Sequence, residues 1–384
     1  GRVARTHQYF PKLCPPSCGL EINFRQLRTN PNIKYLTLSE VEKITGDPGH
    51  YKATIRRQPR FVNRKCTACG ECVAACPVER SNEFNLGMDK TKAIYLPHPM
   101  AYPMQFVIDR AVCPGKECGK CVPACPYGAI DLDMKPEVME VEVQAVILAT
   151  GWEPYDAAKI QPYGYDRYQN VITSVEFERM ADPFGPTGGK LVRPSDGKEA
   201  KNVAFIQCAG SRDENHLRHC SRICCMASLK QTQYVREAFG DQGKSTIYYI
   251  DIRAIDRFED FYQMVQKDAT VSFVKSKVAR IAENKENGNP ILHGVDTEGY
   301  NRYATEHDLV VLAVGMEPEI TGVKLPDDVI LDSSNFIEGS KDMGMFGAGA
   351  AASPLDVNRS VQSATAASLR AIQVIHKTAS TEAA

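Results

Sequence analysis

The sequence predicts an α/β protein of two doubly wound lobes, one of them interrupted by a small cysteine-rich domain. Three observations carry that reading. An apolar strand ending in a small residue and glycine occurs twice, at residues 145–151 and again at 308–315. Between these copies the order strand, helix, strand marks a βαβ unit. The cysteines are bunched, with eight between Cys66 and Cys125 and four between Cys208 and Cys225, out of 14.

The elements follow in chain order. Residues 33–45 alternate as a strand and 50–62 give a second, with Gly46-Asp47-Pro48-Gly49 supplying turn chemistry between them. After the cysteine block, residues 141–151 alternate first and end as a continuous apolar run, the pattern of a strand buried on both faces. Residues 152–200 are rich in Pro, Gly, Tyr and Asp and read as a long excursion. A strand at 202–207, a helix over 222–239 and a strand at 246–251 form the βαβ unit. The chain closes on a Gly/Ala-rich loop over 344–353, a helix over 356–376 and a frayed tail from Thr378 to Ala384.

The chain has 384 residues, which predicts two to three domains at about 150 residues each. Hydrophobic residues make up 43% and charged residues 24%, which excludes the disordered and collagen-like classes. A formal net charge of −1 offers no basic face and no nucleic-acid partner. No apolar run approaches the roughly 18 residues of a membrane span, so no direct span is expected. No charged-then-apolar leader precedes the chain, which opens at Gly1-Arg2-Val3 without Met, so export is not expected and the start reads as processed or incomplete. Bunched thiols in a protein that is not exported read as metal ligands.

The strongest signal is Cys66-x2-Cys69-x2-Cys72-x3-Cys76-Pro77, followed by Cys113-x4-Cys118-x2-Cys121-x3-Cys125-Pro126. Three closely spaced thiolates on a tight loop reach three iron corners of a cubane, and the fourth ligand comes from elsewhere. In two-cluster ferredoxins the fourth Cys of each run serves the other cluster. That rule assigns Cys66, Cys69, Cys72 and Cys125 to one [4Fe–4S] cluster, and Cys113, Cys118, Cys121 and Cys76 to the second. Structural zinc uses two separated pairs around a tetrahedral ion, which this spacing fits poorly. The x4 gap, Pro114 to Glu117, widens the second loop and leaves its last three ligands intact.

A further set, Cys208-x11-Cys220-x3-Cys224-Cys225, begins directly after the first strand of the second lobe. A nicotinamide-binding lobe carries G-x-G-x-x-G there against the pyrophosphate. Here the loop reads Gln207-Cys208-Ala209-Gly210-Ser211-Arg212, so thiols replace the phosphate cradle. The reading is a third [4Fe–4S], with Arg212, Arg218, His219 and Arg222 offsetting its charge; the bland alternative is a group of buried core cysteines. Asp251 stands where a ribose-binding acid is often found and, without the cradle, reads as a plain strand-end residue. Cys14-Pro15-Pro16-Ser17-Cys18 stays open between a redox-active pair and a structural turn.

Evidence for a flavin is distributed. Gly1-Arg2 suits the end of a phosphate-binding loop, and Ala149-Thr150-Gly151 after a buried strand is a common edge of a dinucleotide site. The loop Met345-Phe346-Gly347-Ala348-Gly349-Ala350 lets backbone approach a ligand closely. The helix after it would point a partially positive N-terminus at the anionic edge of a reduced flavin. His7, His98, His216 and His219 read as ordinary polar residues, no Ser/His/Asp arrangement stands out, and no catalytic residue is assigned.

These residues resemble the A subunit of the quinone-interacting membrane-bound oxidoreductase complexes of sulfate reducers, itself similar to the A subunit of heterodisulfide reductase. The carrying segments are Gly1-Arg2-Val3-Ala4, Tyr9-Phe10-Pro11-Lys12-Leu13-Cys14-Pro15-Pro16 and Cys18-Gly19-Leu20-Glu21-Ile22-Asn23-Phe24. The double-ferredoxin insert, Gly87-Met88-Asp89-Lys90-Thr91-Lys92-Ala93, Cys208-Ala209-Gly210-Ser211-Arg212-Asp213 and Cys220-Ser221-Arg222 complete the match. The resemblance implies a thioredoxin-reductase-like, FAD/NAD(P)-binding two-lobe Rossmann-type fold with an inserted two-[4Fe–4S] ferredoxin domain; the first βαβ unit of that fold is missing from the N-terminus of this sequence, a departure that reads as an incomplete start. It makes residues 1–60 the opening segment of the FAD lobe and 61–136 the ferredoxin domain. Residues 137–200 are then the middle segment of the FAD lobe with a connection, and 201–307 the degenerate nucleotide lobe. The closing segment of the FAD lobe, with the C-terminal helix, takes 308–384.

The FAD contacts it implies fall on Gly1, Arg2, Val41, Thr150, Gly151, Gly349, Ala350 and Val361. Many FAD enzymes place Gly-Asp in the C-terminal loop; Gly349-Ala350 here shifts that contact to backbone or to another residue. Implied partners are adenylylsulfate reductase, a second flavin/iron–sulfur subunit, and a haem-bearing membrane subunit. The implied location is cytoplasmic, peripheral on the inner face of the cell membrane through those subunits. The implied role is to pass quinol electrons towards adenylylsulfate reductase in dissimilatory sulfate reduction. Two rivals stand beside it. One is an electron-bifurcating subunit like the A subunit of heterodisulfide reductase, disfavoured because the chain ends after one helix with no second ferredoxin module. The other is a flavin-free iron–sulfur relay scaffold. A soluble pyridine-nucleotide oxidoreductase comes last, for want of a phosphate loop.

Overall fold

The computed structural model describes residues 2–320 and 324–382. The chain packs as two units, each with its own core. The first comprises the N-terminal turn with Pro15–Thr45 and Lys52–Glu142; the second comprises Thr6–Cys14, Gly46–Tyr51 and the chain from Val143 onward.

In the first unit, α1 (Ser17–Thr29) precedes a three-stranded sheet in the order β1 (Ser39–Thr45), β2 (Tyr51–Arg57), β3 (Glu137–Val143), with β1 and β2 antiparallel. The strand read at 33–45 begins only at Ser39; Ile33, Tyr35, Leu36 and Leu38 are all exposed and precede it as irregular chain. The cysteine-rich domain is inserted between β2 and β3. Its core is Phe61, Val62, Cys72, Ile94, Phe106, Ile108 and Ala129, with further thiols packed around it. Two four-residue helices, α2 (Glu71–Ala74) and α3 (Cys121–Ala124), stand at equivalent places in the two cysteine runs. Each follows a left-handed glycine, Gly70 at φ +91° and Gly119 at φ +53°. That turn costs glycine nothing, and it folds each Cys-Gly-x-Cys segment back on itself.

The strand read at 141–151 is two strands. β3 ends at Val143, and β4 (Val146–Leu148) starts within the second unit. The second unit follows with β5 (Trp152–Pro154), β6 (Val171–Thr173), α4 (Ser174–Ala181), β7 (Asn202–Ala209), α5 (Cys224–Phe239), β8 (Lys244–Tyr249), α6 (Phe258–Gln266), β9 (Val271–Lys275), β10 (Leu309–Val314), β11 (Met316–Pro318), β12 (Met345–Gly347) and α7 (Val357–Glu382). A parallel sheet in the order β6-β10-β7-β8-β9 forms its centre. Side chains alternate across it: Val203, Phe205, Leu309 and Val311 meet α4, α5 and α6, while Ala204, Ile206, Val310 and Leu312 meet a layer that includes Ile281 and Leu292. Burial on both faces explains why these strands read as unbroken apolar runs.

The excursion read at 152–200 contains β6 and α4. Helix α4 is held by a capping box in which Glu176 N–H donates to Thr173 Oγ1 and Thr173 N–H donates to Glu176 Oε2. The loop read at 344–353 contains β12, which pairs in parallel with β4. Helix α7 runs to Glu382, through most of the tail read as frayed. Among the described residues no helix is long and apolar enough to cross a membrane.

Candidate functional site

The inserted domain brings its thiols together across the two runs. Cys76, Cys113, Cys118 and Cys121 line one small pocket with Ile94 and Ile108. Burial pushes the Cys72 thiol up to about 11, and the next contributions come from Cys66, Cys125, Cys69 and Cys121. Burial also raises Cys121, whose neighbouring thiols are Cys113, Cys76 and Cys118. So Cys125, the last of the second run, is felt at Cys72, and Cys76, the last of the first, is felt at Cys121. Backbone amides point at two of the sulfurs: Ala129 N–H donates to Cys125 Sγ at 3.3 Å and Gly115 N–H to Cys113 Sγ at 3.4 Å. Among the described residues no group of three His, Cys, Asp or Glu is arranged around a single metal ion. A cubane asks for a different arrangement, one thiolate at each of four iron corners.

The second thiol set is built at the end of β7. Pairing with β10 jumps from Ile206–Leu312 to Ala209–Val314, so Gln207 and Cys208 stand opposite Ala313 alone as a bulge. Cys208 takes a left-handed conformation, φ +55°, and Arg212 (φ +55°) and Arg222 (φ +65°) do the same further along. Such backbone costs about 1–3 kcal/mol per residue and persists where the surroundings fix it. Here they do: Arg212 N–H donates to His219 O at 3.1 Å and Asp213 N–H to Leu217 O at 3.0 Å. Ser211 and Ser221 share a 2.6 Å hydroxyl bond, and Met316 N–H donates to Ser221 Oγ at 2.9 Å. A Cβ on Gly210 would meet the Tyr155 ring at 2.5 Å, so glycine is required for this loop to lie flat.

Cys224 and Cys225 open α5, which has no side-chain N-cap. Its free N–H groups and dipole favour negative charge at that end. Cys208, Cys224 and Cys225 are buried and Cys220 is partly open. Burial pushes Cys225 up to about 11, Cys224 well above its ordinary value and Cys208 upward, and each of these three also feels Cys220. Neutral thiols are what apolar surroundings favour; a positive iron centre would hold all four as thiolates. Gln207, 5% exposed and adjacent to Cys208, has neither amide atom bonded to protein. Burying an unpaired amide costs roughly 1–3 kcal/mol, which suits a partner that the protein itself does not supply.

Of the residues read as flavin contacts, Gly1 lies outside the described residues. Arg2 lies in the 3-10 turn Arg2–Arg5, and Val41 is exposed beside the bulge of β1. Thr150 and Gly151 leave β4 next to the point where Gly349 and Ala350 leave β12, because the two strands are parallel neighbours and Ala348 N–H donates to Leu148 O at 3.0 Å. Thr150 Oγ1 is buried without a protein partner. Val361, early in α7, is 62% exposed.

Sequence reasoning missed Asp356. Its Oδ1 caps α7 by accepting Arg359 N–H at 2.9 Å, and its Oδ2 lies 3.6 Å from Arg222 Nε. It thereby ties the Cys220–Arg222 turn to the helix that follows Gly349–Ala350. An Asp just before a helix reads as a routine N-cap, and nothing in the spacing reveals the ion pair. Also unforeseen is a buried polar knot. Glu178 accepts Lys230 Nζ at 2.8 Å, Tyr234 OH at 3.1 Å and His7 N–H at 3.0 Å, and Lys230 also donates to Gln8 O at 2.7 Å. The knot fastens Thr6–Cys14 to α4 and α5. Cys14 ends that segment, joined to Tyr9 by a β-bridge, and Cys18 is exposed on α1.

A thiol-rich two-run module and a parallel α/β sheet with cysteines in place of a phosphate loop define an iron–sulfur protein on a dinucleotide-binding type of frame. The 4Fe-4S binding domain family matches residues 59–79. Over almost its whole length the chain is similar to A subunits of heterodisulfide reductases. It is 37% identical over 390 residues to the A subunit of the H2:CoB–CoM heterodisulfide, ferredoxin reductase of Methanothermobacter thermautotrophicus, covering 97% of this chain and 58% of the relative. It is 39% identical over 385 residues to an iron–sulfur A subunit of the CoB–CoM heterodisulfide reductase of Methanopyrus kandleri, with the same coverages, 97% and 58%. The chain thus spans little more than half the length of these relatives. Among solved structures, thioredoxin reductase of T. acidophilum superposes with a TM-score of 0.39 at 15% identity, over 64% of this chain and 69% of that one.

Proposed function

We propose that the chain is a FAD and iron–sulfur electron-transfer subunit carrying three [4Fe–4S] clusters. The observation that carries this reading is the grouping of its thiols. Cys66, Cys69, Cys72 and Cys125 would hold one cluster; Cys113, Cys118, Cys121 and Cys76 a second; and Cys208, Cys220, Cys224 and Cys225 a third. FAD, when bound, exchanges electrons in pairs or singly, whereas each cluster carries one. Thr150, Gly151, Gly349, Ala350 and Val361 would hold the FAD, with an unpartnered hydroxyl, bare backbone and an exposed apolar side chain. Arg2 and Val41 belong to the first unit and rest on the resemblance alone. The Arg222–Asp356 pair fixes the third thiol set to the helix beside Gly349 and Ala350.

The finer role we infer is transfer between quinol and adenylylsulfate reductase in dissimilatory sulfate reduction. The chain would be held at the inner membrane face by a haem-bearing membrane subunit together with a second flavin/iron–sulfur subunit. The resemblance carried by Tyr9–Pro16, Cys18–Phe24 and the thiol motifs supports it. The relatives' names favour a second reading, in which the protein is the A subunit of a heterodisulfide and ferredoxin reductase. Purifying the native complex without oxygen separates the two. Co-purification of a haem subunit, with cluster reduction by a menaquinol analogue, supports the quinone role; reduction of the clusters by ferredoxin but not by quinol overturns it.

A further inference from the structure

Three arginines and a histidine crowd the third thiol set in sequence, and the structure separates their roles. Arg222 turns to Asp356. His219 Nε2 sits 2.8 Å from Met316 O. Arg218 lines an open cleft. Arg212 lines that cleft beside Cys220 and its guanidinium favours the Cys208 thiolate, while the backbone of its ion-pair partner, Asp251 O, accepts Cys225 Sγ at 3.8 Å. The same guanidinium donates to Asp251 Oδ1 at 2.5 Å, and Asp251 is also held by Arg253 Nε at 3.3 Å. The left-handed backbone of Arg212 is pinned to His219 O, and its side chain reaches Asp251 from there. Asp251 is therefore no bystander at the end of β8: it orients this arginine.

We propose that Arg212 is a positioning residue that sets the reduction potential of the cluster held by Cys208, Cys220, Cys224 and Cys225, with Asp251 fixing its guanidinium. This rests on the third cluster proposed above. One electron enters on reduction, no bond is made or broken, and the negative charge on the cluster grows by one. A cation beside the ligating sulfurs stabilises the more negative, reduced state more than the oxidised one, and with its side chain 22% exposed Arg212 is only partly screened by solvent. Arg212 therefore raises the potential, and Asp251 partly offsets it.

The test is an anaerobic redox titration of the purified protein, followed by EPR. The third signal is identified as the one lost in Cys220→Ala, together with about four iron. Arg212→Gln should keep full iron and shift that signal to lower potential while the two ferredoxin-type signals stay in place. Arg212→Lys, which keeps the charge, should recover most of the shift. Asp251→Asn removes a negative charge at the same place, and the signal should move to higher potential. Unchanged potentials in Arg212→Gln, an equal fall in Arg212→Lys, or a fall in Asp251→Asn would each overturn the inference. If wild type holds only about eight iron and Cys220→Ala loses none, the cluster reading itself fails, and that failure is seen before any potential is measured.

Discussion

At the scale of single residues, the crossing of the two cysteine runs is the sharpest expectation. Cys125→Ala should abolish the same EPR signal as Cys66→Ala, although 59 positions separate them, while Cys76→Ala should abolish the signal lost in Cys121→Ala. Loss of the opposite signal in either variant would mean that each run serves its own cluster. A second expectation concerns His307, buried between Tyr248 OH and Asn202 Oδ1, each 3.0 Å away. Burial lowers its pKa from 6.5 to about 4, so the folded protein keeps it neutral. Its contribution to stability is complete above pH 6.5. Between pH 6.5 and pH 4 the unfolded chain takes up a proton that the folded chain refuses, and stability falls by roughly 3 kcal/mol in all. His307→Gln should flatten that part of a denaturant-monitored stability curve; an unchanged slope would mean that other groups produce it.

At the scale of elements, the strands legible in the sequence were those buried on both faces. β7 and β10 are unbroken apolar runs because helices cover one side and a second layer covers the other. The cysteine loops were legible too, since iron chemistry ties residue type to spacing. What was not legible depends on contacts distant in sequence. Residues 33–38 alternate like a strand but join no sheet, and α4 hides inside a Pro/Gly-rich stretch whose helix start is marked only by Thr173 and Glu176. The knot around Glu178 joins residues more than 50 positions apart, and no local pattern announces it. Removing one member leaves a buried charge unpaired, so Lys230→Met or Glu178→Ala should cost about 3–5 kcal/mol in urea unfolding. The double variant, with neither charge buried alone, should recover a large share of that loss; strict additivity would argue that the pair does not interact.

At the scale of the whole molecule, two thiol-bearing devices sit on different supports. The inserted domain is a small core of seven buried residues with five partly buried cysteines packed against it, so its fold and its clusters stand or fall together. The third set is grafted onto a bulge, a tight loop and a helix start of a sheet that is well packed without it. Metal loss should therefore disorder the first and leave the sheet of the second unit intact. The strands of that sheet should stay protected from hydrogen exchange in iron-depleted protein while residues 61–136 exchange freely; equal loss in both regions would contradict this account. The measurement that bears most directly on the central claim is iron, acid-labile sulfide and flavin per chain after purification without oxygen. The account expects about twelve iron with matching sulfide, four for each thiol set, and one FAD. About eight iron would return Cys208, Cys220, Cys224 and Cys225 to the status of core cysteines and contradict the three-cluster reading.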